Sequence, residues 1–120
     1  MSYKSLFFKR SEFACHCGCG FGLADGEVSD KLLKVLDQLR THFMQPITVT
    51  SGCRCVDHND SVGGKANSQH LYGKAADIKV KGVVPSEVHA VVLKMFPKSL
   101  GIGSYSSFTH IDVRDYKARW

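Results

Sequence analysis

A chain of 120 residues holds one domain with a modest core and is too short for two independent ones. With 43% hydrophobic residues and three prolines the composition is that of an ordinary soluble globular protein, and no apolar run approaches the ~20 residues needed to span a bilayer. Lysine and arginine number 16 against 11 acidic residues, and the resulting +5 favours anionic partners, but the basic residues are dispersed, without the cluster or signature of a nucleic-acid binder.

The stretch from Met1 to Arg10 has too short an apolar run, and no cleavage pattern, for a secretory signal. Residues 11–22 hold three glycines and a serine among their breakers and read as an irregular loop. This loop carries Cys15, Cys17 and Cys19, and two further cysteines follow at Cys53 and Cys55. Reduced thiols, one or two disulfides, or a structural metal site are all compatible with five cysteines, although Cys-His-Cys-Gly-Cys lacks the two-residue spacer of a zinc knuckle. From Val28 to about Phe43, Leu32, Leu33, Val35, Leu36, Leu39 and Phe43 recur at helical spacing behind Ser29 as N-cap. Pro46 ends that helix, and the β-branched run Ile47–Thr50 predicts a short strand.

Residues 51–69 are rich in Gly, Asn, Asp and Ser and read as a long polar loop, a feature that is often functional in small domains. Residues 76–80 alternate as a half-buried strand, and residues 85–96 form a second helix between Pro85 and Pro97. Residues 100–113, with a turn at Tyr105-Ser106-Ser107, predict a closing hairpin. The whole is an α+β domain, 1–120, with a small antiparallel sheet flanked by helices.

Within this frame His70 sits on the loop, Asp77 on the strand behind it and His110 on the last strand, where alternation places Phe108, His110 and Asp112 on one face. The spacing from His70 to Asp77 does not suit one helical face, but it suits a loop histidine folding back over the strand. Two imidazoles and a carboxylate are a donor set for a catalytic zinc with an open fourth position. The plainer reading is of polar residues without a metal, with Asp77 buried beside a lysine.

Ser68-x-His70-x-x-Gly73-x-Ala75-x-Asp77 resembles, at every defined position, the signature of the zinc D-alanyl-D-alanine carboxypeptidase and L-alanyl-D-glutamate endopeptidase family, whose fold hedgehog domains share. His110 looks like the family's third ligand, and Ser51-Gly-Cys-Arg54 looks like its Ser-Gly-x-Arg segment. The N-terminal Ser-Glu-Phe-Ala-Cys and the helix after it are similar to the small, often phage- or prophage-borne branch, which includes endolysins. The resemblance implies one Zn²⁺ held by His70, Asp77 and His110. It implies Arg54 on a substrate carboxylate or polarised carbonyl, Ser68 shaping the loop or bonding a substrate backbone, and a peptidoglycan stem peptide as substrate. Tyr72 is a further candidate to supply a hydroxyl to substrate.

The chain departs from the family where many relatives carry an acid three residues before the last histidine, or a histidine two before it. Those positions are Ser107 and Phe108. Asp112 is therefore the expected general base, with orientation of a ligand imidazole or pairing with Arg114 as its alternative roles. A catalytically inactive zinc-containing module that binds the cell wall or a partner is the rival reading of the whole. The expected protein is a monomer, made in the cytoplasm and acting in the periplasm or cell wall after release or non-classical export.

Overall fold

The computed structural model describes residues 5–120; the first four residues of the stretch in which no signal is read lie outside them. Helix α1 spans Asp30–Phe43, with the Ser29 hydroxyl accepting from the Leu32 amide at 3.4 Å and Asp30 at the positive end of the helix dipole. Its stripe of Leu32, Leu33, Val35, Leu36 and Leu39 is buried, and Met44 ends it in the left-handed conformation. Strand β1 is Ile47–Ser51, helix α2 Val56–Ser61, β2 Ala75–Val80 and helix α3 Pro85–Met95. Strands β3 (Gly101–Ser104), β4 (Thr109–Asp112) and β5 (Ala118–Arg119) complete the chain.

The sheet order is β1-β2-β4-β3-β5. The first four strands pair antiparallel, as the sequence predicts, but β5 lies parallel to β3, so the sheet is mixed rather than wholly antiparallel. A two-residue strand leaves no alternation to detect. It is held by Ala118 N–H to Leu100 O (3.0 Å) and Trp120 N–H to Ile102 O (3.1 Å), while the Arg119 guanidinium caps carbonyls of Phe96, Ser99 and Leu100 after α3.

The loop expected over 51–69 is also corrected, because it contains α2 and a 3₁₀ turn at Gln69–Tyr72. Only Asn59 of α2 is buried, so the helix shows no apolar stripe. Along β2, Ala76, Ile78 and Val80 join a core with Ile102, Ile111 and the stripes of α1 and α3. Alternation then turns Asp77 to the other face. Register places Asp77 directly opposite His110, and Ala75 opposite Asp112. The two strands therefore present Asp77 and His110 as a cross-strand pair on the face away from the core.

Candidate metal centre

His70 reaches this face from the 3₁₀ turn. The Ser68 hydroxyl caps the turn by accepting from the His70 amide at 3.2 Å, so Ser68 shapes the backbone that carries the histidine. Gly73 closes the turn at φ +66°, and its carbonyl accepts from Ser29 N–H at 2.9 Å, locking the turn to the start of α1. A Cβ at Gly73 would overlap the Glu27 carbonyl. Gly73→Ala is expected to lose about 1–3 kcal/mol from backbone strain alone, with the clash added, read as a lower urea midpoint. A variant as stable as the parent contradicts this account of the turn.

The His70 ring is fixed by one contact. Its Nδ1 lies 2.6 Å from the Gly52 carbonyl, an oxygen that can only accept, so Nδ1 carries the proton and Nε2 presents its lone pair to the interior. That Nε2 is buried without a hydrogen-bond partner. It stands 3.3 Å from Asp77 Oδ1, and the same oxygen is 2.9 Å from His110 Nδ1. The His70 and His110 rings meet edge to face at 5.2 Å. All three donors lie within 4.8 Å of one another and all three residues are buried.

Zinc takes nitrogen and oxygen ligands at about 2.0–2.2 Å, which sets tetrahedral edges of about 3.3–3.6 Å. The 3.3 Å separation of His70 and Asp77 fits that edge. The donor set and the partnerless lone pair of His70 together fit a zinc ion; a buried polar atom without a partner otherwise costs about 1–3 kcal/mol.

Electrostatics centre on the carboxylates. Burial by itself raises the Asp77 pKa, but its polar contacts, the His110 ring first among them, outweigh it and bring it down to about 2. Arg54 adds to this charge balance, with Nη2 donating to Asp77 Oδ2 at 3.3 Å, Nε to Ser51 Oγ at 3.0 Å and Nη1 to Asn59 Oδ1 at 3.3 Å. Three of the five guanidinium donors are thus used inside the protein, leaving two for a ligand.

Asp112 is fully buried behind His110, on the opposite ring edge from Asp77. Its Oδ2 accepts from His110 Nε2 at 2.8 Å, and Arg114 grips both oxygens, Nε to Oδ1 at 2.7 Å and Nη2 to Oδ2 at 2.8 Å. Burial disfavours the charge, yet this two-pronged fork and the imidazole hold Asp112 well below the usual carboxylate range. Burial likewise opposes charge on His110, but Asp112 and Asp77 on either side raise its pKa. Asp112 thus makes the two contacts that its alternative roles require, one with the His110 imidazole and one with Arg114, and it is not among the three residues whose donor atoms converge.

Other candidates are exposed. Tyr72 is 60% exposed, and Ser107 is exposed. The Tyr105 ring stacks on Phe108 at 4.4 Å while its hydroxyl accepts from Trp120 Nε1 at 2.8 Å. Trp120 lies 5.1 Å from the His110 ring with the Arg114 guanidinium 5.1 Å over its own. The roof over His110 was not predicted from the sequence, because it depends on β5. Gly52, which holds His70, is a defined position of the Ser-Gly-x-Arg segment, whereas Asn59, which holds Arg54, carries no sequence signal beyond its place in the polar loop.

Residues 6–112 match the family described as Peptidase M15. The zinc D-Ala-D-Ala carboxypeptidase of Streptomyces albus G is 56% identical over 43 residues, 34% of this chain and 17% of that protein. The peptidoglycan L,D-endopeptidase MepK of Escherichia coli (strain K12) is 28% identical over 94 residues, 74% of this chain and 50% of that protein. The chain thus spans half or less of the length of these curated relatives. The crystal structure of Serratia marcescens L-Ala D-Glu endopeptidase ChiX shares the fold, with a TM-score of 0.54 at 16% identity over 73% of this chain and 81% of that one.

Proposed function

The chain belongs to the Peptidase M15 family, and on that premise we propose that it is a zinc-dependent peptidase that hydrolyses a peptide bond of the peptidoglycan stem peptide, at D-Ala–D-Ala or at L-Ala–D-Glu. The observation that carries the reading is the convergence of His70 Nε2, Asp77 Oδ1 and His110 Nδ1, with the first left partnerless in a buried position. Zinc, when bound there, supplies a Lewis acid that polarises a carbonyl and acidifies water.

The chain's own residues do the rest. The Gly52 carbonyl and the Asp112 carboxylate fix the two imidazoles, so that each points a defined nitrogen at Asp77. Arg54, already tied to Asp77, offers its remaining donors to a substrate carboxylate or to the developing oxyanion. Ser68 acts through the His70 turn, and Tyr72, exposed at the end of that same turn, is available to a stem peptide. The positive net charge favours approach to an anionic wall, in keeping with action in periplasm or cell wall.

In this reading Asp112 is a positioning residue rather than the base. Asp112→Asn is expected to weaken zinc binding and activity together by about 10–100-fold, with activity recovering at saturating zinc. A fall in kcat of about 10²–10⁴ at unchanged zinc affinity would instead make it the general base.

Digestion of purified peptidoglycan by zinc-loaded protein, followed by mass spectrometry of the muropeptides, tests the function. Loss of a terminal D-Ala or release at L-Ala identifies the bond by mass. A zinc-loaded protein that leaves the stem peptides intact would be the inactive binding module.

A further inference from the structure

A second group of metal-ligating side chains lies outside the site just described. The N-terminal loop folds back on itself through Cys15 N–H to Phe21 O (2.8 Å) and Gly18 N–H to Cys15 O (3.2 Å). Gly18 and Gly20 adopt φ values of +84° and +91°, a conformation that residues with a Cβ rarely take. Those turns let Cys15, Cys17 and Cys19 face one point despite their close spacing. Cys55, from the start of α2, meets them there. The four sulfurs lie within 4.8 Å of one another.

We propose that Cys15, Cys17, Cys19 and Cys55 form a structural tetrathiolate site for a single zinc-class ion. Zinc–thiolate bonds of about 2.3 Å set a tetrahedral edge of about 3.8 Å between sulfurs. The separations are 3.4 Å for Cys15–Cys17, 3.6 Å for Cys17–Cys55 and 3.9 Å for Cys15–Cys55, which cluster around that edge. A disulfide needs sulfurs about 2.05 Å apart, and separations of 3.4–3.9 Å are those of free thiols. Backbone amides already serve the cluster, with Cys55 N–H toward Cys15 Sγ at 3.5 Å and His58 N–H toward Cys55 Sγ at 3.4 Å. Soft sulfur donors in a tetrahedron select zinc over the oxygen-seeking cations.

The fifth cysteine is set apart. Cys53 belongs to the hydrophobic core, where burial pushes its thiol up to about 12 and keeps it neutral. The odd cysteine count thus divides into four ligands and one core residue.

The site has a structural consequence for the peptidase centre. Cys55 follows Arg54 directly, Cys53 N–H donates to the Phe13 carbonyl at 2.8 Å, and Gly52 holds the His70 ring. A metal joining the N-terminal loop to Cys55 anchors the segment from Gly52 to Cys55 from both sides.

Titration of the reduced, metal-free protein with Cd²⁺ tests this independently of catalysis, because thiolate-to-cadmium charge transfer in the ultraviolet reports sulfur ligation alone. The expected result is a band that saturates at one equivalent, is unchanged in His70→Ala and is lost in Cys17→Ser/Cys19→Ser, two exposed positions. Zinc analysis of the untagged protein is expected to show one ion fewer in the double serine variant than in its parent. Absence of the band from the parent protein, or its retention in the double variant, overturns the proposal. So does thiol counting, without reductant, that finds these four cysteines paired as disulfides.

Discussion

Replacing His70 by alanine is expected to empty the catalytic metal centre and reduce cleavage of peptidoglycan to background while leaving the chain folded. Its Nε2 is the donor with no hydrogen-bond partner, so its removal takes away one of three ligands and breaks no hydrogen bond on that side. On the other side the Gly52 carbonyl loses its donor, at a cost of about 1–3 kcal/mol. Asp77→Ala is the poorer test of ligation. That carboxylate also faces His110 and Arg54, and stripping a buried charge cluster of its shared partner costs about 3–5 kcal/mol. Loss of metal would then be mixed with loss of fold. Zinc analysis beside a thermal melt reads the two effects separately, and a folded His70→Ala protein with its full zinc content would remove His70 from the ligand set.

Arg54→Lys is expected to lower kcat/KM by about 10²–10³ with the zinc content intact. A lysine ammonium cannot reach Ser51, Asn59 and Asp77 in the planar arrangement the guanidinium uses, and has no donor pair left for a carboxylate. Arg54 also pins its own loop, so part of the effect appears in stability. The two roles separate in the measurement: a residue that only pins the loop changes the melting temperature and leaves kcat/KM near that of the parent once the protein is folded. Activity retained at full level in the lysine variant would confine Arg54 to that lesser role.

What the sequence made legible follows from how local each feature is. Helix α1 was readable because its buried leucines recur at helical spacing behind a serine cap. Alternation along the last hairpin put His110 and Asp112 on one face, and their 2.8 Å contact agrees with it. Alternation does not say which ring nitrogen meets which acid. The position of Asp112 behind His110 depends on the imidazole's orientation and on the Arg114 fork, both set by tertiary contacts. Helix α2 escaped notice because a helix with one buried residue has no period. Cys53 and Cys55 looked alike in sequence, yet one enters the core and the other meets the N-terminal loop.

The identity of the metal-holding side chains is most directly tested by diffraction from zinc-loaded crystals at the zinc absorption edge. An anomalous peak in bonding contact with His70 Nε2, Asp77 Oδ1 and His110 Nδ1 is the predicted result. An active, zinc-loaded protein whose map shows no peak among those three atoms would contradict it.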